Sequence, residues 1–288
     1  MAILKNSVSK HFKINAVSGK CRQVITLFLL IVLLSILSLS EILASKDVIY
    51  FYNPETNINN FVLLKKEFDK YLSEFGQFTF QPFSDRKTFE KSAANKRDVI
   101  FLISSWHFLD LKKKIQLKPV FMGISKGKPT QRKILFSRGN SASIDYLKGK
   151  SVASSGSEGY TKNILLQMLG KEVEDSVDTL KILTVPKDID ALMALGLGMV
   201  DAALCTEHTQ AKLSEINPKL CVMLKELAST ETYLQIVAVP NPSDENIELA
   251  LSIIAKMTSS IKGRRNLKMI SLDGWKKVSK AERKYLEN

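Results

Sequence analysis

From Val48 onward, short apolar runs alternate with segments whose apolar residues recur every three or four positions. Val48–Tyr52 is an apolar run closed by the turn signal Asn53-Pro54, and it predicts a strand. Phe61, Leu64, Phe68, Leu72 and Phe75 then recur at helical spacing, with Gly76 as the stop. Phe78–Phe83 reads as a strand and Lys87–Lys96 as a short charged helix. Asp98–Ser105 is a continuously apolar strand that opens into Trp106, His107 and Phe108. This β-α-β-α-β order, with apolar strands, predicts a parallel sheet covered on both faces.

The pattern then changes. Leu117–Ile124 and Arg132–Ser137 read as two strands joined by the polar turn Ser125–Thr130. A second α/β series follows: a strand ending at Val152-Ala153, a polar loop and an amphipathic helix running to about Gln167. Next come a strand over Leu180–Pro186, a helix from Asp188 to about Leu197 and a strand over Met199–Leu204. Beyond Asn217-Pro218, Cys221–Leu224 and Thr232–Val239 read as strands, and Asp244–Ser259 as a helix. Two α/β series joined by extended segments predict two lobes with a ligand cleft between them.

Residues 1–44 differ in kind. Lys5, Lys10, Lys13, Lys20 and Arg22 precede an apolar run, Val24–Leu39, interrupted only by Thr26, Ser35 and Ser38. The run is short for a span of about 20 residues, so it predicts a secretory signal, with an uncleaved anchor as the alternative. The remainder is expected to be a soluble periplasmic or extracytoplasmic protein.

The net charge is +13; without the leader, 37 basic and 28 acidic residues remain. That surplus suits an anionic ligand. The basic residues are scattered and export removes the usual partner, which argues against nucleic acid. Cys205 and Cys221 read as buried free thiols, with a bridge between them as the alternative. No Walker loop, dinucleotide fingerprint or metal-ligand spacing occurs, and the histidines have no nearby nucleophile, so a binding role is expected rather than catalysis, with no cofactor or metal.

The candidate ligand loop is Ser154-Ser155-Gly156-Ser157-Glu158-Gly159, between the strand at Val152-Ala153 and its helix. A helix N-terminus has unpaired N–H groups and partial positive charge, so hydroxyls and glycines there suit an anion. The alternative is a turn whose serines only cap the helix.

Leu147-Lys-Gly-Lys-Ser-Val-Ala before a serine-glycine loop, then Ala191-Leu-Met-Ala-Leu-Gly-Leu-Gly-Met-Val-Asp-Ala-Ala, resembles the substrate-binding proteins of phosphate, phosphite and phosphonate ABC importers. The ending Ile270–Tyr285 looks like that family's terminal segment, and the similarity runs from about Val48 to the end. The resemblance implies a two-lobed α/β type 2 periplasmic binding protein fold, each lobe a mainly parallel sheet flanked by helices. Residues 45–137 with 233–288 would form lobe 1 and residues 138–232 lobe 2, hinged near Ser137–Ser141 and Thr230–Tyr233. It implies a monomer that captures a small oxyanion for an ABC permease of the inner membrane, or a sensor or adaptor with a different or lost ligand.

Aligning the family's loop glycine with Gly159 puts Gly156, Ser157 and Glu158 on its three hydroxyl positions. Only Ser157 keeps the hydroxyl there, with Ser154 and Ser155 just before it; Glu158 is expected to cap the helix and face solvent. Ligands of such sheets sit at the carboxyl ends of parallel strands, which adds Tyr52, Asn53, Ser104, Ser105 and Trp106. Trp106 would wall the ligand or pack between the lobes. Lys187 stands where the family commonly has histidine, before Asp188, and Glu207 where an acid can meet a ligand ammonium.

Overall fold

The computed structural model describes residues 48–139, 147–240 and 244–287. The expected leader, residues 1–44, lies outside the described residues, as do Asn140 and Ser141 of the expected hinge.

The chain begins with β1 (Val48–Tyr52), a 3-10 turn (Pro54–Thr56), α1 (Phe61–Leu72), β2 (Thr79–Pro82), α2 (Arg86–Ala93), β3 (Val99–Ser104) and α3 (Ser105–Leu111). β1 pairs in parallel with both β2 and β3. Strand alternation sends Ile100 and Leu102 to one face, against Phe68 and Leu72 of α1. Val99, Phe101 and Ile103 go to the other, against Phe89, Phe108 and Leu111. Both faces are covered, so all six residues of β3 are buried.

β4 (Lys118–Ile124) and β5 (Thr130–Arg138) follow. The turn between them closes through reciprocal Ser125–Lys128 backbone hydrogen bonds of 3.0 Å. Lys126 and Gly127 take φ of 51° and 77° there, as a tight two-residue hairpin turn requires. The strands nevertheless separate into different sheets.

The second sheet contains β5, β6 (Ser151–Ser154), β7 (Lys181–Thr184), β8 (Ala202–Thr206) and β9 (Leu224–Tyr233). Its helices are α4 (Glu158–Leu169), α5 (Glu174–Asp178), α6 (Asp188–Gly196), α7 (Glu207–Ile216) and α8 (Pro218–Val222). The chain returns to the first sheet as β10 (Gln235–Val239), then α9 (Glu245–Ala255), α10 (Ile261–Met269), β11 (Gly274–Lys277) and α11 (Lys280–Glu287). The strand orders are β11-β4-β10-β3-β1-β2 and β7-β6-β8-β5-β9.

Several expectations change. β5 pairs with β8 and β9, so the chain leaves the first sheet at Ser125–Pro129, ahead of the boundary expected after residue 137 and of the hinge expected at Ser137–Ser141. Local periodicity marks a strand but not the sheet it joins. Thr232–Val239 is two strands in two sheets, broken at Leu234, whose N–H donates to the Pro129 carbonyl at 2.9 Å. The two connections therefore run side by side. Cys221–Leu224 is not a strand: Pro218 starts α8, capped by the Asn217 side chain on the Leu220 N–H at 3.2 Å. The pair Asn-Pro here starts a helix. Cys205 and Cys221 are both free thiols.

Candidate functional site

The loop after β6 turns its hydroxyls to the protein itself. Ser154 Oγ accepts the Gly156 N–H at 3.1 Å. Ser157 caps α4 through the Tyr160 N–H at 3.2 Å and donates to Asp110 Oδ2 of the first lobe at 2.6 Å. Ser155 donates to the Asp188 carboxylate. Asp188, fully buried at the start of α6, also accepts the Thr206 N–H at 2.8 Å and the Thr209 hydroxyl at 3.4 Å. A carboxylate of the chain thus sits between the Ser155 hydroxyl and the start of α7, drawing on the donors that would serve a bound oxyanion.

Lys133 supplies the counter-charge. Its ammonium lies 3.3 Å from Asp188 and 2.8 Å from Glu55 Oε1, with Lys133 fully buried and Glu55 nearly so. Glu55 Oε2 accepts Gln131 Nε2 at 2.9 Å. Burial works against the Lys133 charge, but the Asp188 and Glu55 carboxylates outweigh it and raise its pKa. Burial raises the Glu55 carboxyl, opposed by Lys133. Because Glu55 follows β1 while Lys133 and Asp188 belong to the second lobe, this cluster joins the lobes. Asn57 adds to the bridge, donating to Thr209 Oγ1 at 2.8 Å and accepting the Ile189 N–H at 2.8 Å.

Beside the serine loop the cleft is filled by aromatic packing. Trp106 packs into the second lobe's core with Leu135, Val152 and Leu165, its ring stacked between His107 at 5.0 Å and Tyr160 at 5.3 Å. A Cβ at Gly156 would lie 2.4 Å from the Tyr160 ring, so glycine is required for this close approach.

On the other side, next to the two connections, the lobes leave a cavity of about 540 Å³. Asn53, Gln131, Gln235, Lys126, Lys128 and Glu207 are among its lining residues. Gln235 is buried; its Nε2 donates to the Ile270 carbonyl at 2.6 Å, and its Oε1 has no partner among the described residues. Lys126 and Lys128 are exposed in the turn; the Lys126 N–H donates to Asp273 at 2.6 Å, and the Lys126 charge helps to hold that carboxyl below its usual pKa, after the hydrogen bonds from Lys268 and from the Lys126 N–H. A depression of about 660 Å³ continues from this cavity past Thr56, His208 and Lys212.

Residues 59–282 match the family described as "ABC transporter, phosphonate, periplasmic substrate-binding protein". The chain belongs to that family. It is accordingly an extracytoplasmic substrate-binding component of the phosphonate ABC transporter class, and the family is one of transport, not of enzymes. No curated protein matches the sequence. Among solved structures, a binding protein component of an ABC phosphonate transporter from Pseudomonas aeruginosa superposes with a TM-score of 0.67 at 15% identity, covering 84% of this chain and 86% of the other. PhnD1 from Prochlorococcus marinus, in complex with methylphosphonate, gives 0.63 at 16% identity over 84% and 96%. A Xanthomonas citri protein bound to ATP gives 0.64 at 14% identity over 84% and 95%. At these identities the likeness shows the fold, a type 2 periplasmic binding protein.

Within this family member, the residues expected at the ligand divide between the two sides. Asn53 and Glu207 line the cavity. Ser154, Ser155, Gly156 and Ser157 form the closed loop, while Gly159 lies inside α4 with nothing near its Cα hydrogen. Glu158 faces solvent and pairs with Lys162 at 3.0 Å. Trp106 takes the interlobe place rather than walling the cavity. Ser105 donates to the Tyr233 carbonyl at 2.6 Å, and Ser104 Oγ is buried without a partner among the described residues. Tyr52 is buried, its ring stacked on Phe89 at 5.5 Å and its phenol pushed up by burial. Lys187 donates to Asn59 Oδ1 at 2.6 Å, tying α6 to the first lobe.

Sequence reading missed Glu55, Lys133, Gln235 and the two turn lysines. One signal was present: Lys133 precedes Ile134-Leu135-Phe136 in a strand, and a lysine at a buried strand position needs carboxylate partners. Asp188 was noticed only as the acid after Lys187.

Proposed function

We propose that this protein is the capture component of an ABC importer, taking a small phosphorus oxyanion from the extracytoplasmic space into its interlobe cleft and presenting it, as a monomer, to an inner-membrane permease. The observation that carries the reading is the cation-lined cavity of about 540 Å³ at the mouth of an interlobe cleft, in a chain of the phosphonate-binding family. Closure would turn about the paired connections at Ser125–Pro129 and Leu234. The leader, residues 1–44, would direct export. Thermal-shift and calorimetric titration with phosphate, phosphite, methylphosphonate and 2-aminoethylphosphonate tests the reading; stabilisation by at least one is expected, and none at millimolar concentration would sink it.

The Asp188 carboxylate beside Ser155 favours a second reading, a sensor or adaptor of the same fold whose ligand differs or is lost. N-terminal sequencing of the exported protein separates the two. A chain retaining residues 1–44 supports a membrane-held sensor; a chain starting near Glu41 or Ser45 supports a released binding protein.

A further inference from the structure

The surplus of positive charge is not shared between the lobes. Residues 130–233, which build the second sheet and its helices, hold 12 basic and 13 acidic residues, whereas residues 48–129 and 234–288 hold 24 and 14. Within the first lobe the surplus divides again. Segments 61–75 and 244–273, which carry α1, α9 and α10 on one face of the sheet, have 8 basic and 7 acidic residues. Segments 85–118 and 276–287, which carry α2, α3, α11 and the edge strand β11, have 14 and 6.

Those three helices form one surface. Phe89 of α2, Phe108 of α3 and Leu286 of α11 share the core cluster on the other face of the sheet. The turn after α3 touches both neighbours: Lys112 donates to the Leu286 carbonyl at 2.5 Å, and Lys114 pairs with Glu90 at 2.8 Å. The carboxylates of this surface are engaged internally. Asp85 accepts the Thr88 N–H at 2.8 Å, Glu90 is also 3.2 Å from His107, and Asp110 accepts the Ser157 hydroxyl. Glu282 takes the Lys276 ammonium at 2.6 Å and the Ser279 N–H at 2.9 Å. Lys87, Lys91, Lys114, Lys280, Arg283 and Lys284 remain exposed. Between α2 and the end of α3, Lys87, Lys91 and Lys114 line a depression of about 400 Å³ together with the buried Leu111 and Ile115.

The residue types choose the partner. Protein interfaces rest on desolvated aromatic and arginine anchors and are depleted of lysine. Here nine of the eleven exposed cations in segments 85–118 and 276–287 are lysines, and Tyr285 is the one large apolar side chain exposed there among the described residues. Ammonium groups spread over three helices suit a diffuse negative surface, each adding about fivefold to the attraction. A lone tyrosine suits the headgroup layer.

We propose that the α2–α3–α11 face of the first lobe lies against an anionic phospholipid surface. Headgroup phosphates meet Lys87, Lys91 and Lys114, Tyr285 lies at headgroup level, and the nearly neutral second lobe is held away from the lipid. None of the residues lining this depression lines the interlobe cavity, so the inference is independent of what the cleft captures.

Co-sedimentation of the exported protein with phosphatidylcholine vesicles, and with vesicles that also contain phosphatidylglycerol, tests the proposal. Binding is expected only to the anionic vesicles at low salt, and is lost near about 1 M salt, where the screening length is about 3 Å. Lys87→Glu/Lys91→Glu/Lys284→Glu is expected to weaken it at least tenfold, on the order of fivefold or more per lysine. Lys66→Glu/Lys256→Glu/Arg265→Glu makes the same change in net charge on the opposite face and is expected to weaken it less than about threefold. Both variants should melt as the parent does. Equal losses in the two variants overturn the proposal, because net charge and not this face would then drive binding. Binding that survives high salt and both reversals also overturns it, as insertion of the leader. Absence of binding to the anionic vesicles overturns it as well, and leaves the face to an acidic protein.

Discussion

The two sides of the interlobe cleft differ in who satisfies whom. Around Ser154–Ser157 the protein answers its own donors: Asp188 takes the Ser155 hydroxyl, Asp110 takes Ser157, and Trp106 and Tyr160 stack the space shut. Lys126, Lys128 and Gln235 instead line an open cavity, and Gln235 Oε1 has no partner among the described residues. A helix start after a serine-rich loop is thus an anion site only while no internal carboxylate has claimed it. Lys133 is what makes the internal claim tolerable, because buried carboxylates without a cation would cost several kcal/mol each.

The largest test of this contrast removes that cation. Lys133→Met leaves Glu55 and Asp188 buried and unpaired, and is expected to lower unfolding free energy in urea by about 3–5 kcal/mol. Combining it with Glu55→Gln and Asp188→Asn should recover much of the loss; if the single variant melts like the parent, the cluster does not hold the lobes. Gly156→Ala comes next, since the added methyl must displace Tyr160 from its stack on Trp106: about 1–3 kcal/mol by the same measurement, with a change in near-UV circular dichroism. Ser157→Ala removes the α4 cap and one interlobe bond, an expected loss of about 1 kcal/mol. The open side should tolerate Lys126→Ala with no measurable destabilisation.

A smaller, graded effect is acid sensitivity around His107 of the first lobe, whose ring stacks on Trp106. Burial lowers the His107 pKa below its usual 6.5, and hydrogen bonding to His107 first, then to Lys114, pulls Glu90 down to about 2 from 4.5. Both folded values lie below the unfolded ones, so both groups favour the folded state at neutral pH. That contribution starts to fall as pH drops below about 6.5 and falls further between about 4.5 and 2. Melting temperatures across this range should decline less steeply in Glu90→Gln; an equal slope would remove Glu90 as a cause.

Much of the fold was legible because apolar periodicity reports burial directly: the β1–β3 unit and helices α1 and α6 stand close to where the pattern put them. β9 was missed because six of its ten residues, Lys225 to Thr230, alternate without an apolar face, as suits a half-exposed strand at the edge of its sheet. The partition into sheets was illegible where one continuous stretch, Thr232–Val239, serves two of them. Among the candidate residues, Asn53 and Glu207 reached the cavity because strand-end topology is a rule of the fold. Lys133 showed itself only as a lysine in an apolar strand and Gln235 not at all, since their partners lie 35 to 78 residues away in sequence.

The position of β10 has a consequence for how the protein comes to exist. It sits between β3 and β4, the centre of the first sheet, yet it is made only after the entire second sheet. Until residue 239 has emerged, β3 carries an open apolar edge, the kind of surface that pairs with other chains. The second sheet, by contrast, has all its strands within Thr130–Tyr233 and can close first. Assembly therefore runs inside out, with the inserted lobe serving as the scaffold that delivers the missing strand, and early release of an incomplete chain would leave its most aggregation-prone edge uncovered.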